Sequence, residues 1–196
     1  MNPELHLLYL HGFRSSPRSF KARVVGQRMK EMGLAGNLIC PQLSPSPREA
    51  MDLVLRLVER FRPHELAIVG SSLGGFYATW LAERLGCRAA VLNPAVDPFQ
   101  DLEDYVGWTT EYHSDKPFEF KQEYVEELRA LKVERITHPE RYFLLATTGD
   151  EVLDYRTMVA HYAGARQHVI EGSDHGISEF PRYVDEVLSF CLADGR

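Results

Sequence analysis

The stretch "IVGSSLGGF", Ile68 to Phe76, sets two serines between glycines at the end of an apolar run. A serine hydroxyl is well placed as a nucleophile on a sharp strand-to-helix turn. The backbones crowd there, so the residues two before and two after it must carry almost no side chain. For Ser72 those flanks are Gly70 and Gly74, whereas for Ser71 they are Val69 and Leu73, which would collide. Ser72 is therefore the candidate nucleophile, and acyl transfer the candidate chemistry. A plain glycine-rich turn or a phosphate cradle is the competing reading. A Walker loop ends in Lys-Ser/Thr and a dinucleotide fingerprint reads Gly-x-Gly-x-x-Gly, and neither is present.

A serine needs a base to take its proton and an acid to hold that base. On a parallel sheet both should follow the serine in the chain, the acid first, each from a loop at the carboxyl end of a later strand. Of the eight histidines, His6 lies inside the first strand, His64 before a strand, His161 in a helix and His168 at the start of a strand. His113 and His138 lie in or beside an irregular segment and suit the surface. His175, in "VIEGSDHGI", follows a strand late in the chain, and Gly172 and Gly176 let its loop bend toward the serine. In "YFLLATTGDEVLDY" the acid is Asp150, directly past a strand, in preference to Glu151 and Asp154. Asp154 is better placed as the N-cap of the next helix. Asp174 adjoins His175, where successive side chains diverge, and suits a supporting or solvent-facing role. An oxyanion should be received by the backbone N–H of Leu73 and by that of Phe13 in "LHGFRSSP", with Gly12 permitting an unusual backbone. His11 precedes Ser72 and is assigned a supporting hydrogen bond rather than proton transfer.

These groups need a frame. Short apolar runs recur, each followed by turn residues: "LHLLYL", "NLIC", "LAIV", "AAVL", "YFLLAT" and "HVI". Continuous apolarity marks strands buried on both faces, as in a parallel sheet covered by helices. Helical spacing links Ala50, Leu53, Val54, Leu57, Val58 and Phe61, and again Tyr183, Val184, Val187, Leu188 and Cys191. "GFYATWLAERL" can run as a helix after Ser72. The alternation predicts an α/β fold with a doubly wound, mostly parallel sheet of about six strands and helices on both faces. Residues 97–136 break the rhythm with aromatics and a helical tail around Tyr124, Val125, Leu128 and Leu131. They read as an insertion over the strand ends, part loop and part helix.

The 196 residues and 44% hydrophobic content suit a single α/β domain. A formal charge of -6 with no Lys/Arg block argues against nucleic acid. The N-terminus lacks a basic leader and no run is long enough to span a membrane, so a cytoplasmic protein is expected. Cys40, Cys87 and Cys191 are too few and too scattered for a disulfide framework or a zinc site, and Cys191 falls on an apolar helix face as a buried thiol. No metal is expected.

"YLHGFRSSP", "GSSLGGFYATWLAE", "LNPAV", "TGDEVLDYR" and "VIEGSDH" together resemble the YqiA-like family of short bacterial esterases in the α/β-hydrolase superfamily. The likeness runs from Tyr9 to the last helix and is weakest in the insertion. It implies a minimal α/β-hydrolase core, ester hydrolysis without cofactor, and the triad Ser72, Asp150 and His175. The chain has Gly-Ser-Asp before His175 where the family tends toward Gly-Gly-Asn, so Asp174 is expected to raise the basicity of that histidine.

The expected reaction is hydrolysis of a small-molecule carboxylic ester, with a short acyl chain, through an acyl-enzyme on Ser72. Phe99, Tyr105, Trp108 and Tyr112, with Phe118 and Phe120, are candidates for the substrate pocket. Asp101, Glu103, Asp104, Glu111, Asp115 and Glu119, opposed there by Lys116 alone, disfavour coenzyme A thioesters against neutral esters. The rivals are thioester hydrolysis and a non-catalytic α/β-hydrolase relative that binds a ligand or a protein. A dehalogenase or dienelactone hydrolase would carry Asp or Cys in place of Ser72.

Overall fold

All six apolar runs become strands, and every pairing among them is parallel. The computed structural model describes residues 4–110 and 117–193. The first half runs β1 (His6–Leu10), α1 (Phe20–Glu31), β2 (Leu38–Ile39), α2 (Pro47–Val58), β3 (Leu66–Ser71), α3 (Leu73–Leu85) and β4 (Arg88–Leu92). The insertion holds α4 (Phe99–Glu103), β5 (Gly107–Thr110), β6 (Pro117–Phe120) and α5 (Gln122–Ala130). The chain then completes β7 (Tyr142–Thr147), α6 (Tyr155–His161), β8 (Arg166–Ile170) and α7 (Val184–Cys191).

The sheet order is β2-β1-β3-β4-β7-β8. After β1 the chain crosses to one side for β2, and then returns to the other side for β3. The loops after β1 and β3 therefore part in opposite directions and leave a crevice at their carboxyl ends. Ser72 and Gly12 stand at the two lips of that crevice.

Side chains alternate between the faces, and each face closes on its own core. Leu8, Leu10, Ile68, Val91 and Leu144 pack with Met51 and Val54 of α2 and with Phe76 and Leu81 of α3. Leu7, Tyr9, Val69, Leu92 and Phe143 pack with Val25 and Met29 of α1 and with Val187 and Leu188 of α7. Helices thus cover both faces, as the apolar runs demand.

Local chemistry sets the helix ends. The Ser46 hydroxyl accepts from the Glu49 N–H and Pro47 opens the first turn of α2. Asp154 caps α6 through the Arg156 N–H, as its spacing suggests. The stripe read on α2 is partly wrong: Leu57 is exposed while Met51 is buried. Phe61 lies beyond the helix and stacks on His6 at 4.2 Å between centroids.

The insertion departs further from expectation. The sequence predicts loop and helix there, yet β5 and β6 pair as a two-stranded antiparallel sheet, Gly107 opposite Phe120 and Thr110 opposite Pro117. Each strand has only four residues and one buried position at most, so neither carries the apolar run that marks the main sheet. Among the described residues no helix is long and apolar enough to cross a membrane. The three cysteines are free, and burial pushes the Cys191 thiol up to about 12.

The turn from β3 into α3 is the tightest junction. A Cβ on Gly70 would overlap the Gly74 carbonyl, and one on Gly74 would overlap the Leu10 carbonyl of β1. Gly74→Ala must therefore push α3 off the sheet. Overpacking of this kind costs about 1–3 kcal/mol or more, and a urea titration against the wild type should show a lower midpoint and an unfolding free energy reduced by that amount.

Candidate active site

The backbone brings three distant side chains to one edge of the sheet. Ser72 leaves β3 at φ 56°, ψ -123°, a conformation that non-glycine residues rarely adopt. The Ser72 N–H donates to the Leu92 carbonyl at 3.0 Å, and its carbonyl accepts from Ala95 at 3.1 Å and from Gly75 at 2.8 Å. These bonds to the end of β4 and the start of α3 hold the turn in place.

Ser72 Oγ lies 3.0 Å from His175 Nε2, and His175 Nδ1 lies 2.8 Å from Asp150 Oδ2. With the proton on Nδ1 facing the carboxylate, Nε2 offers its lone pair to the serine hydroxyl. The other Asp150 oxygen accepts from the N–H groups of Val152 and Leu153, each at 2.8 Å. Burial pushes the Asp150 carboxyl up, but the bonds from His175, Leu153 and Val152 outweigh it and hold the group below its ordinary range. The competing acids go elsewhere: Glu151 accepts from the His175 backbone N–H at 2.9 Å, and Asp154 caps α6.

Asp174 differs from its expected part. Its carboxylate accepts from the Ser178 N–H and hydroxyl, which hold it below its ordinary range, so it shapes the loop rather than addressing the imidazole. The bend of that loop is carried by Gly172 (φ 73°), Ser173 (φ 61°) and Ile177 (φ 52°).

The loop after β1 comes up close to Ser72. Among the described residues, neither the Phe13 nor the Leu73 N–H donates to a protein acceptor. Gly12 earns its place for a different reason from the one expected. Its φ is not positive, and the left-handed residue of this loop is Arg14, at φ 58°. A Cβ on Gly12 would instead come to 3.1 Å from the Ser72 Cβ. His11 is buried, and its Nε2 accepts from the Leu43 N–H at 3.1 Å.

Above Ser72 opens a cavity of about 770 Å³, within the usual range for small-molecule sites. Ser72, Leu73, Phe13 and His175 are among its lining residues, and its surface is largely apolar. The candidate pocket residues divide. Tyr105 lines the cavity. Phe99 is buried against Phe76, at 6.0 Å between ring centroids, and lies under the Arg129 guanidinium. Trp108 is 75% exposed and outside the lining, because β5 turns it outward. Tyr112 lies outside the described residues, as do Glu111, His113, Asp115 and Lys116. Phe118 and Phe120 pack edge-on against Phe13 instead. Of the acidic residues in the insertion, Asp101 faces the cavity, while Glu103 is tied to Arg129 at 2.8 Å.

Several working residues escaped the sequence reading. Phe20, Leu102, Val152 and Leu153 line the cavity. Asn93 is fully buried directly after β4, at φ 40°. Its Nδ2 donates to Thr147 Oγ1 at 3.0 Å and to the carbonyls of Asp174 and His175, and its Oδ1 accepts from the Thr147 N–H. Lys21 Nζ donates to the carbonyls of His175 at 3.2 Å and Gly176 at 2.9 Å. A signal for Lys21 did exist: it stands four residues before Val25 and eight before Met29, on the apolar stripe of α1.

Comparison with known proteins agrees with this architecture. A putative hydrolase from Agrobacterium vitis S4 is 19% identical, with 97% of this chain and 89% of that one covered and a TM-score of 0.77. Alpha/beta hydrolase domain-containing protein 10 from mouse is 18% identical, with 94% and 89% covered and a TM-score of 0.66. The esterase domain of a Rhodothermus marinus protein is 19% identical, with 96% and 86% covered and a TM-score of 0.65. At these identities the likeness establishes the α/β-hydrolase fold. Residues 6–192 match the family described as "Uncharacterised protein family (UPF0227)". With that match spanning nearly its whole length, the chain belongs to the UPF0227 family, the YqiA-like group its motifs resemble, and has the α/β-hydrolase fold.

Proposed function

We propose that the protein is a serine hydrolase that cleaves carboxylic esters through an acyl-enzyme on Ser72. The observation that carries this reading is the continuous hydrogen-bonded line from Ser72 Oγ through His175 to Asp150, at 3.0 and 2.8 Å. His175 Nε2 takes the hydroxyl proton as Oγ attacks the ester carbonyl. Asp150 keeps the ring in the right tautomer and stabilises the imidazolium. The Leu73 and Phe13 N–H groups, the former at the positive end of α3, receive the developing oxyanion. The alkoxide leaves with the proton from His175, and water then repeats the attack on the acyl-enzyme.

The cavity bears on substrate class. Its apolar walls favour a neutral acyl ester, in keeping with the acidic character of the insertion. Its volume of about 770 Å³ is of the size that holds drug-like ligands. A short acyl chain leaves much of it unfilled. Matched esters graded by chain length should therefore show kcat/KM rising beyond the shortest acyl group.

Ser72→Ala should lower kcat by about 10⁴- to 10⁶-fold and abolish labelling by a fluorophosphonate, and retained esterase activity in that variant rejects the reading. Asp150→Asn should lower kcat by about 10⁴-fold with the fold intact, because the ring is left in the wrong tautomer. The acid also leaves a mark on stability. A carboxyl held below its unfolded value contributes stability above the unfolded pKa and loses it as pH falls through the folded one. Urea midpoints from neutral to acidic pH should therefore decline less in Asp150→Asn than in the wild type.

A further inference from the structure

Lys21 presents an anomaly. It is 9% exposed, lies on the stripe of α1 that packs against the sheet, and also lines the catalytic cavity. The charges that favour its ammonium are the carboxylates of Asp174, Asp150 and Glu151, from the two loops that carry the acid and the histidine. Tyr9, which lines the same cavity from β1, stays neutral because burial pushes its phenol up.

The balance of these effects is unfavourable to the ammonium. Burial outweighs the three carboxylates and drives Lys21 down to about 8. A cation kept where burial disfavours it weakens the fold, and an apolar side chain of similar length should serve packing better.

Its hydrogen bonds show what it does instead. Nζ donates to the carbonyls of His175 and Gly176. The His175 carbonyl also accepts from Asn93 Nδ2 at 3.2 Å, and the His175 N–H donates to Glu151. The peptide units on both sides of the imidazole are thus gripped from α1, from the end of β4 and from the acid loop. The Asn93 grip belongs to the sheet and the Glu151 grip to a neighbouring loop. Lys21 alone of the three reaches across the cavity wall from α1.

We propose that Lys21 is a positioning residue for His175, a clamp from α1 that holds the histidine loop at the distance where Nε2 meets Ser72 Oγ. The inference rests on the serine-hydrolase reading for its effect on rate, and on the hydrogen bonds alone for its effect on the loop. A displaced base costs turnover without costing substrate binding. Misplacements of about 1 Å are worth about 10²-fold in rate.

The test compares Lys21→Met with the wild type and with Lys30→Met, an exposed lysine on the same helix. Lys21→Met should lose about 10²-fold in kcat with KM unchanged, and amide exchange over residues 172–178 should quicken. Its urea midpoint at neutral pH should equal or exceed that of the wild type. The sign follows from the depressed lysine: between about 8 and 10.5 the unfolded chain binds more protons, so the wild type gains stability as pH rises. Any advantage of the variant should shrink over that window. Lys30→Met should match the wild type throughout. Wild-type kcat with unaltered exchange in Lys21→Met overturns the proposal, and so does a loss of stability large enough to explain the lost activity. Failure of the wild type to react with a fluorophosphonate would overturn the hydrolase reading instead, and the exchange comparison still decides whether the clamp exists.

Discussion

A serine at φ 56° costs about 1–3 kcal/mol relative to a relaxed backbone, and such a residue persists only where its surroundings over-determine it. Here they do. Its N–H and carbonyl are both bonded to the segment leaving β4, Gly70 and Gly74 admit no side chain, and α3 begins at once. In this conformation the hydroxyl meets His175 Nε2 at 3.0 Å. Everything else in the site is arranged around that fixed direction: the histidine loop must reach it, and the loop after β1 must close on its other side.

The order of the sheet explains why so few residues suffice. Adjacent parallel strands end at the same edge, so the loops after β1, β3, β4 and β7 are neighbours without any long connection. Asn93, one residue beyond β4, can therefore bond Thr147 at the end of β7 and the histidine loop together, while Ala95 holds Ser72. The motif "LNPAV" is a hub between Ser72 and the His175 loop. It contributes no reacting group of its own.

Much of this was legible in the chain. Continuous apolar runs located β1, β3, β4 and β7, because a strand buried on both faces has no polar positions to confuse the pattern, and the shorter runs "NLIC" and "HVI" marked the two border strands. The glycine flanks favoured Ser72 over Ser71, position and chain order favoured His175, and closeness to the strand end favoured Asp150 over Glu151 and Asp154. The pairing of β5 and β6 was not legible, since "GWTT" and "PFEF" are too short and too exposed to show a period. The cavity walls were misjudged for a related reason. Aromatic type suggested Phe99 and Trp108, but type does not say which way a side chain turns, and one is spent on packing and the other on solvent. Asn93 and Lys21 were passed over because a lone amide and a lone lysine are solvated by default. In the lysine's case the helical stripe outweighs that default.

The two ends of the main sheet are unlike its middle. β2 offers only two residues for pairing, and β8, at the opposite border, is polar along most of its length through Arg166, Gln167 and His168. Arg166 is ion-paired to Glu186 on α7, and His168 Nδ1 is hydrogen-bonded to the same carboxylate. A border this short on one side and this hydrophilic on the other is a poor template for a passing strand. The molecule can thus keep a largely apolar cavity open without also offering a seam along which aggregates grow.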